Sequence, residues 1–207
     1  MPRRPRGLPP KQPLPVGALG ARPVVALVGR PNVGKSTLFN RLVGHRLAIV
    51  EDMPGVTRDR HYADAELLGR EVVVVDTGGF DPESDDPMRA GIAHHVRLAL
   101  AEADLVVCVL DATSGALPAD REAVRLLREA DKPVLYVANK AESPARQQQA
   151  MELYELGLDT LRPISAAHGH GLGELEEELV AALPEAPTAP EVLALPAGTP
   201  RLAVVGR

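Results

Sequence analysis

Aromatic side chains make up only 2% of this chain and tryptophan is absent, so any core has to be closed by Leu, Val and Ala. A single cysteine, Cys108, excludes an intramolecular disulfide framework. It lies inside the apolar run 105–110, where a thiol is expected to serve as a small core residue. No apolar run approaches the ~20 residues that a membrane-spanning helix needs. Positive charge is not in excess either: the net charge is −5 and the pI about 5.7, which lends no whole-molecule support to tight nucleic-acid binding. The six histidines fall into no Cys/His spacing of a zinc site. What is present, 207 residues at 45% hydrophobic, suffices for one well-buried domain plus tails.

The chain divides by composition. Residues 1–21 carry Arg3, Arg4, Arg6 and Lys11 among many prolines and lack the apolar stretch of a secretory signal. They read as a disordered basic extension, open to use as an RNA-contacting arm or to a role as plain solvated tail. From 22 to 183, short apolar runs alternate with longer stretches of helical spacing. Strands are predicted at 24–28, 61–68, 71–76, 105–110, 133–138 and 161–164, and helices at 35–43, 88–103, 118–130, 144–156 and 172–183. Alternation of this kind predicts parallel βαβ units in an α/β fold. The tight junction at Gly69 predicts a hairpin and hence one antiparallel edge strand. Residues 184–200 are rich in Pro, Ala and Thr and read as a linker. Arg201-Leu-Ala-Val-Val-Gly-Arg207 then echoes Val24-Val-Ala-Leu-Val-Gly-Arg30, which reads as the start of a second, truncated copy of the domain.

The chemistry is carried by Gly29-Arg-Pro-Asn-Val-Gly-Lys-Ser36, which matches G-x-x-x-x-G-K-[ST] at every fixed position. An apolar run precedes it and a helical pattern follows. That context wraps backbone N–H groups around a phosphate and aims a helix N-terminus at it. Gly29, Asn32, Val33, Gly34, Lys35, Ser36 and Thr37 are therefore candidate nucleotide contacts. Lys35 would reach the β- and γ-phosphates, and the Ser36 hydroxyl would ligate Mg²⁺. Asp76-Thr-Gly-Gly79 follows an apolar strand, so Asp76 can support the metal's hydration shell and Gly79 can offer its N–H to a γ-phosphate. Thr57, in the polar loop 51–59, is placed to give its hydroxyl to Mg²⁺ and its N–H to that phosphate, as in loops that order only when it is bound. The stretch Asn139-Lys140-Ala141-Glu142 falls at the end of a predicted parallel strand, where base pockets form. Asn139 can bond the base, the Lys140 stem can cover its face, and the Glu142 carboxylate can accept two N–H groups from a guanine edge. Ser165, Ala166 and Ala167, after the last strand, are placed to donate a backbone N–H to the guanine oxygen.

Together these motifs resemble the translation-factor-like GTPases, most closely the Der (EngA) branch of the Era-like group. Residues 29–42 look like that branch's phosphate loop, and 54–59 and 76–79 look like its two switches. The resemblance covers residues 22–183 and implies a three-layer P-loop NTPase fold of the Ras-like kind, with a mostly parallel sheet and helices on both faces. It also implies tandem GTPase domains followed by a KH-like one, a cytoplasmic monomer, and action in assembly of the large ribosomal subunit. The rRNA and ribosomal-protein contacts would be made mainly through domains missing here, and no membrane is involved. Two details depart from the commonest pattern. Glu142 stands where the family usually has Asp, leaving guanine preference either unaltered or relaxed. Phe80 stands where Ras-like enzymes orient water with a glutamine. Phe80 resembles a hydrophobic-substituted subgroup in which an asparagine placed like Asn32 is associated with bound K⁺.

The resulting expectation is a Mg²⁺-dependent, K⁺-stimulated hydrolysis of GTP to GDP and phosphate, with Lys35, Thr57 and Gly79 catalytic, Ser36, Thr57 and Asp76 at Mg²⁺, and Asn32 at K⁺. Three alternatives stay open at the level of the sequence. They are a nucleotide-gated binding module, an ATPase of the same loop class, and a folded segment unable to close its switches alone.

Overall fold

The computed structural model describes residues 22–44, 61–77 and 88–184. The elements run β1 Val24–Val28, α1 Lys35–Val43, β2 His61–Leu67, β3 Arg70–Asp76, α2 Met88–Glu102, β4 Leu105–Asp111, α3 Pro118–Arg128, β5 Val134–Asn139, α4 Pro144–Ala150, a 3₁₀ stretch Met151–Leu156, β6 Arg162–Pro163 and α5 Leu172–Ala182. One six-stranded sheet has the order β2-β3-β1-β4-β5-β6. All neighbours pair parallel except β2, which runs antiparallel to β3 at the edge. The expected α/β architecture and the antiparallel edge strand are both present.

The two-residue period of the strands separates the core into two layers. Val24, Ala26 and Val28 of β1 pack with Ala93, Val96, Val124 and Leu127 from α2 and α3. Val25 and Leu27 face the other way, among Leu38, Phe39 and Leu42 of α1 and Leu175 and Leu179 of α5. A strand covered on both faces has no polar side to show, which is why β1 and β4 read as unbroken apolar runs. Edge strand β2 alternates instead: Ala63, Ala65 and Leu67 are buried while Asp64 and Glu66 are exposed. Cys108 is fully buried in β4, where desolvation drives its thiol pKa far up, so it serves as the core residue that the apolar run predicts.

Several boundaries differ from the sequence-based ones for identifiable reasons. The expected strand 61–68 stops at Leu67, because Leu68 (φ 48°) and Gly69 (φ 84°) form the two-residue turn and both need left-handed backbone. Leu68 is consequently 61% exposed despite its apolar side chain. The expected helix 144–156 divides into α4 and the 3₁₀ stretch, where helical spacing persists but the hydrogen-bond register tightens. The last strand shrinks to two residues, Arg162–Pro163, paired with Val137 and Ala138. No described helix is long and apolar enough to cross a membrane.

Candidate nucleotide-binding site

Parallel pairing brings the C-terminal ends of β1, β3, β4, β5 and β6 to one edge of the sheet, and the polar residues that the core tolerates collect there. Lys35, Asp76, Thr77, Asp111, Asn139 and Ser165 are all buried at the loops or helix start beyond those ends. Burying so many polar groups is costly unless they satisfy one another, and they do so largely by tying the loops together.

The 29–36 loop leaves β1 on a turn that a side chain could not follow. A Cβ added to Gly29 (φ +149°) would stand 2.3 Å from the Val109 carbonyl oxygen, and one on Gly34 (φ +97°) would stand 2.3 Å from Asn139 Nδ2. These two glycines therefore let neighbouring backbone and side chains press against the loop. Lys35 opens α1 and folds its side chain back over the loop, donating to the carbonyls of Gly29 at 2.9 Å and Arg30 at 3.0 Å. Desolvation pulls its pKa below the usual lysine value, while the nearby Asp76 carboxylate opposes that shift. Ser36 and Thr37 are exposed on the first turn of α1. Asp76 ends β3 beside Leu27 of β1, so the acid and the phosphate loop share one sheet edge. Thr77 locks that junction, its hydroxyl donating to the Leu27 carbonyl at 2.8 Å.

Asn139 turns out to be a bridge between loops. Its Nδ2 donates to the Val33 carbonyl and its Oδ1 accepts from the Ala166 N–H, both at 2.9 Å and both buried. Both ends of the side chain thus hold the phosphate loop against the 165–167 loop, a bridging role that stands beside the expected bond to the base, for which the amide nitrogen has a second N–H. Among Ser165, Ala166 and Ala167, the Ala166 N–H is accordingly used within the protein, and the Ser165 N–H is bonded to the His170 carbonyl. Arg41 of α1 clamps the same loop, donating to the carbonyls of Ala166 at 2.8 Å and Ala167 at 2.5 Å.

Lys140 adopts a left-handed backbone (φ 69°) and lies across the site. Its ammonium donates to the Asn32 carbonyl at 2.7 Å and to Asp111 Oδ2 at 2.6 Å. Burial works against ionisation of Asp111, but bonds from Lys140 and from the Thr113 hydroxyl and N–H outweigh it, and its carboxyl is held below the usual carboxylate range. Arg30, the second residue of the phosphate loop, points into the same cluster, with nitrogens 3.5 Å from Asp111 and 3.4 Å from Asp120 and a 2.5 Å bond to Ser114 Oγ. Glu142 is held by Arg146 of α4. Asn32 is exposed in a left-handed conformation (φ 64°).

The structure thus gathers Gly29, Asn32, Val33, Gly34, Lys35, Ser36, Thr37, Asp76, Asn139, Lys140, Glu142, Ser165, Ala166 and Ala167 at one end of the sheet. Thr57 and Gly79, together with Phe80, the tail 1–21, residues 185–200 of the linker and the repeat at 201–207, lie outside the described residues. Among the described residues, no group of three or more His, Cys, Asp or Glu could hold a metal ion by itself. A Mg²⁺ at a phosphate site needs no such group, since it keeps waters and takes phosphate oxygens, and the hard oxygen donors Ser36 and Asp76 suit it. Sequence reasoning missed Arg30, Arg41, Thr77, Asp111 and Asp120 as parts of the site. Asp111 was findable, for it ends an apolar strand as Asp76 does. Arg41, 125 positions from its partner, left no local signal.

Comparison with known proteins agrees with this geometry. The family profile described as "50S ribosome-binding GTPase" matches residues 24–140. A GTPase Der from Geobacter sp. (strain M21) is 47% identical over 189 residues, covering 90% of this chain and 41% of the relative. The chain therefore spans about two-fifths of that relative's length. Among solved structures, an Aquifex aeolicus Era variant bound to GDP and AlF₄⁻ superposes with a TM-score of 0.62 at 32% identity, over 79% of this chain and 57% of the other. Era in complex with Mg-GDPNP and nucleotides 1506–1542 of 16S ribosomal RNA gives 0.63 at 33% identity, over 83% and 60%.

Proposed function

The chain belongs to the 50S ribosome-binding GTPase family, and from that premise we propose that residues 22–183 form one domain that binds GTP and hydrolyses it to GDP and phosphate. The observation that carries this reading is the Asn139 bridge, which joins the phosphate loop to the 165–167 loop and so builds phosphate and base ends into one site. Gly34, Lys35, Ser36 and Thr37 cradle the phosphates. Lys140 lays its stem along the base, Glu142 accepts from the guanine edge, and the Ala167 N–H, outside the Asn139 bridge, donates to the guanine oxygen. Ser36 and Asp76 would hold Mg²⁺, which would supply positive charge to neutralise the phosphates. Thr57 and Gly79 sense the γ-phosphate. The protein contributes positioning and charge stabilisation rather than covalent chemistry.

A competition titration of a fluorescent GDP analogue tests the site. Unlabelled GDP should displace the analogue and ADP should not; displacement by both would leave a phosphate loop without base reading and favour a general nucleotidase.

Asn32 is proposed as a K⁺ ligand on its exposed, left-handed position at the phosphate loop, the ion supplying the positive charge that an arginine would otherwise bring. GTP turnover by the chain should then rise when K⁺ replaces Na⁺ and vanish when Mg²⁺ is chelated. Equal rates in the two monovalent salts would remove the K⁺ assignment.

The wider role proposed is cytoplasmic, in assembly of the large ribosomal subunit. The family's description supports the large subunit, while the 16S ribosomal RNA held by the similar Era supports contact with ribosomal RNA in general. Residues 201–207 are proposed as the opening of a second copy of the domain, on their likeness to 24–30.

A further inference from the structure

The base-reading carboxylate is half engaged and half vacant. Glu142 Oε1 is ion-paired with Arg146 Nη1, one turn further along the chain. Glu142 Oε2 is buried and has no hydrogen-bond partner. Arg146 is itself well placed. It sits in the first turn of α4, its N–H donates to the Ser143 hydroxyl at 3.3 Å, and Nη1 also lies 3.5 Å from the Lys140 carbonyl. The Ala141 N–H bonded to the Ile164 carbonyl at 2.9 Å fixes the backbone just before Glu142 beside the 165–167 loop. That loop holds a second buried orphan, the Ser165 hydroxyl. A carboxylate oxygen without a donor is unusual in a folded protein, and the Glu142 side chain, 29% exposed, lies where a donor from outside can satisfy it.

We propose that Arg146 is a positioning residue for guanine: by holding Oε1 it fixes the long Glu142 side chain so that Oε2 meets the guanine N–H edge as a shorter acid would. The inference rests on the guanine reading proposed above. Glu has one more rotatable bond than Asp, and its carboxylate would otherwise have to be ordered at the moment of binding. The planar guanidinium takes over that ordering in advance, and an ionised oxygen with two lone pairs can serve Arg146 and still accept from the base. The Glu142 carboxyl is kept ionised for this. Burial opposes it, but the Glu142 N–H, the Arg146 guanidinium and nearby His168 together hold it below the usual carboxylate range.

The test is competition binding of GDP, IDP (which lacks the exocyclic amine) and ADP to the 207-residue chain. It uses the parent, Arg146→Ala, Arg146→Lys, Glu142→Asp and the double variant Glu142→Asp/Arg146→Ala, with a melting temperature for each. Arg146→Ala should weaken GDP by about fivefold, the scale of a partly exposed charge pair, and narrow the GDP-over-IDP preference without moving the melting temperature. Arg146→Lys should recover part of the loss. In the Glu142→Asp background, whose shorter acid has one fewer rotatable bond to order, the alanine substitution should have a clearly smaller effect. An unchanged GDP-to-IDP ratio in Arg146→Ala, an equal loss in both backgrounds, or tighter GDP binding would each overturn the role of Arg146. A parent chain that fails to prefer GDP over both IDP and ADP would instead bring down the guanine reading itself.

Discussion

Replacing Lys35 by alanine is expected to weaken GDP binding by about 100-fold, the loss of one or two charge-assisted bonds to phosphate at about 1.5–3 kcal/mol each. The structure shows why nothing compensates. Arg30 is the other cation of the loop, but its guanidinium is committed to Asp111, Asp120 and Ser114, with Asp120 buried beneath it. Lys140 is tied to Asp111 and the Asn32 carbonyl. Lys35 also holds the loop's shape, and without its ammonium the carbonyls of Gly29 and Arg30 lose the donor that draws them together. Lys35→Met keeps the aliphatic stem and removes the ammonium, so comparison with Lys35→Ala separates lost side-chain packing from the lost charge and its hydrogen bonds. Both variants should bind the fluorescent GDP analogue poorly while melting as a folded domain. Near-normal GDP affinity in either would sink the assignment of the site.

Asn139→Ala should be costly before any ligand is added. Truncation strands the Val33 carbonyl and the Ala166 N–H, two backbone groups in fully buried residues, at about 1–3 kcal/mol each. Losing about 2–6 kcal/mol from a domain stabilised by about 5–15 kcal/mol should lower the melting temperature by about 5–20 °C. Asn139→Asp sharpens the test. It preserves shape and keeps one oxygen for Ala166, but sets a carboxylate oxygen against the Val33 carbonyl in place of a donor. If Asn139 served mainly to bond the base, both variants would lose nucleotide affinity and keep the ligand-free melting temperature of the parent. An unchanged ligand-free melting temperature would therefore refute its role as a bridge.

Base contact and loop bridge look alike in a linear motif, and the case of Asn139 shows where sequence reasoning reaches its limit. The motif marked the residue and its place at the end of a strand, but the identity of its partners depends on residues 106 positions before it and 27 after it. Arg30 makes the same point in reverse. As a variable position of the phosphate-loop pattern it carried no signal, and only packing against β4 and α3 shows it steering away from the phosphate end. Glu142 was visible as a departure from the family's aspartate, whereas its partner Arg146 was not visible as part of the site.

The sequence by itself determined the strand–loop–helix alternation, the phosphate loop with Lys35 and Ser36, the acid at the end of β3, the edge hairpin and the family. These are written in periods of two and 3.6, in glycines at backbone angles or close approaches that few other residues tolerate, and in motifs a few residues long, all of them local properties. Tertiary structure alone decided the strand order and which polar groups satisfy one another. It made Asn139 a bridge, Arg41 and Thr77 clamps, and Asp111 the shared anchor of Arg30 and Lys140. A buried polar group must find its partner across the sheet rather than along the chain, and that choice is settled only when the elements close over it.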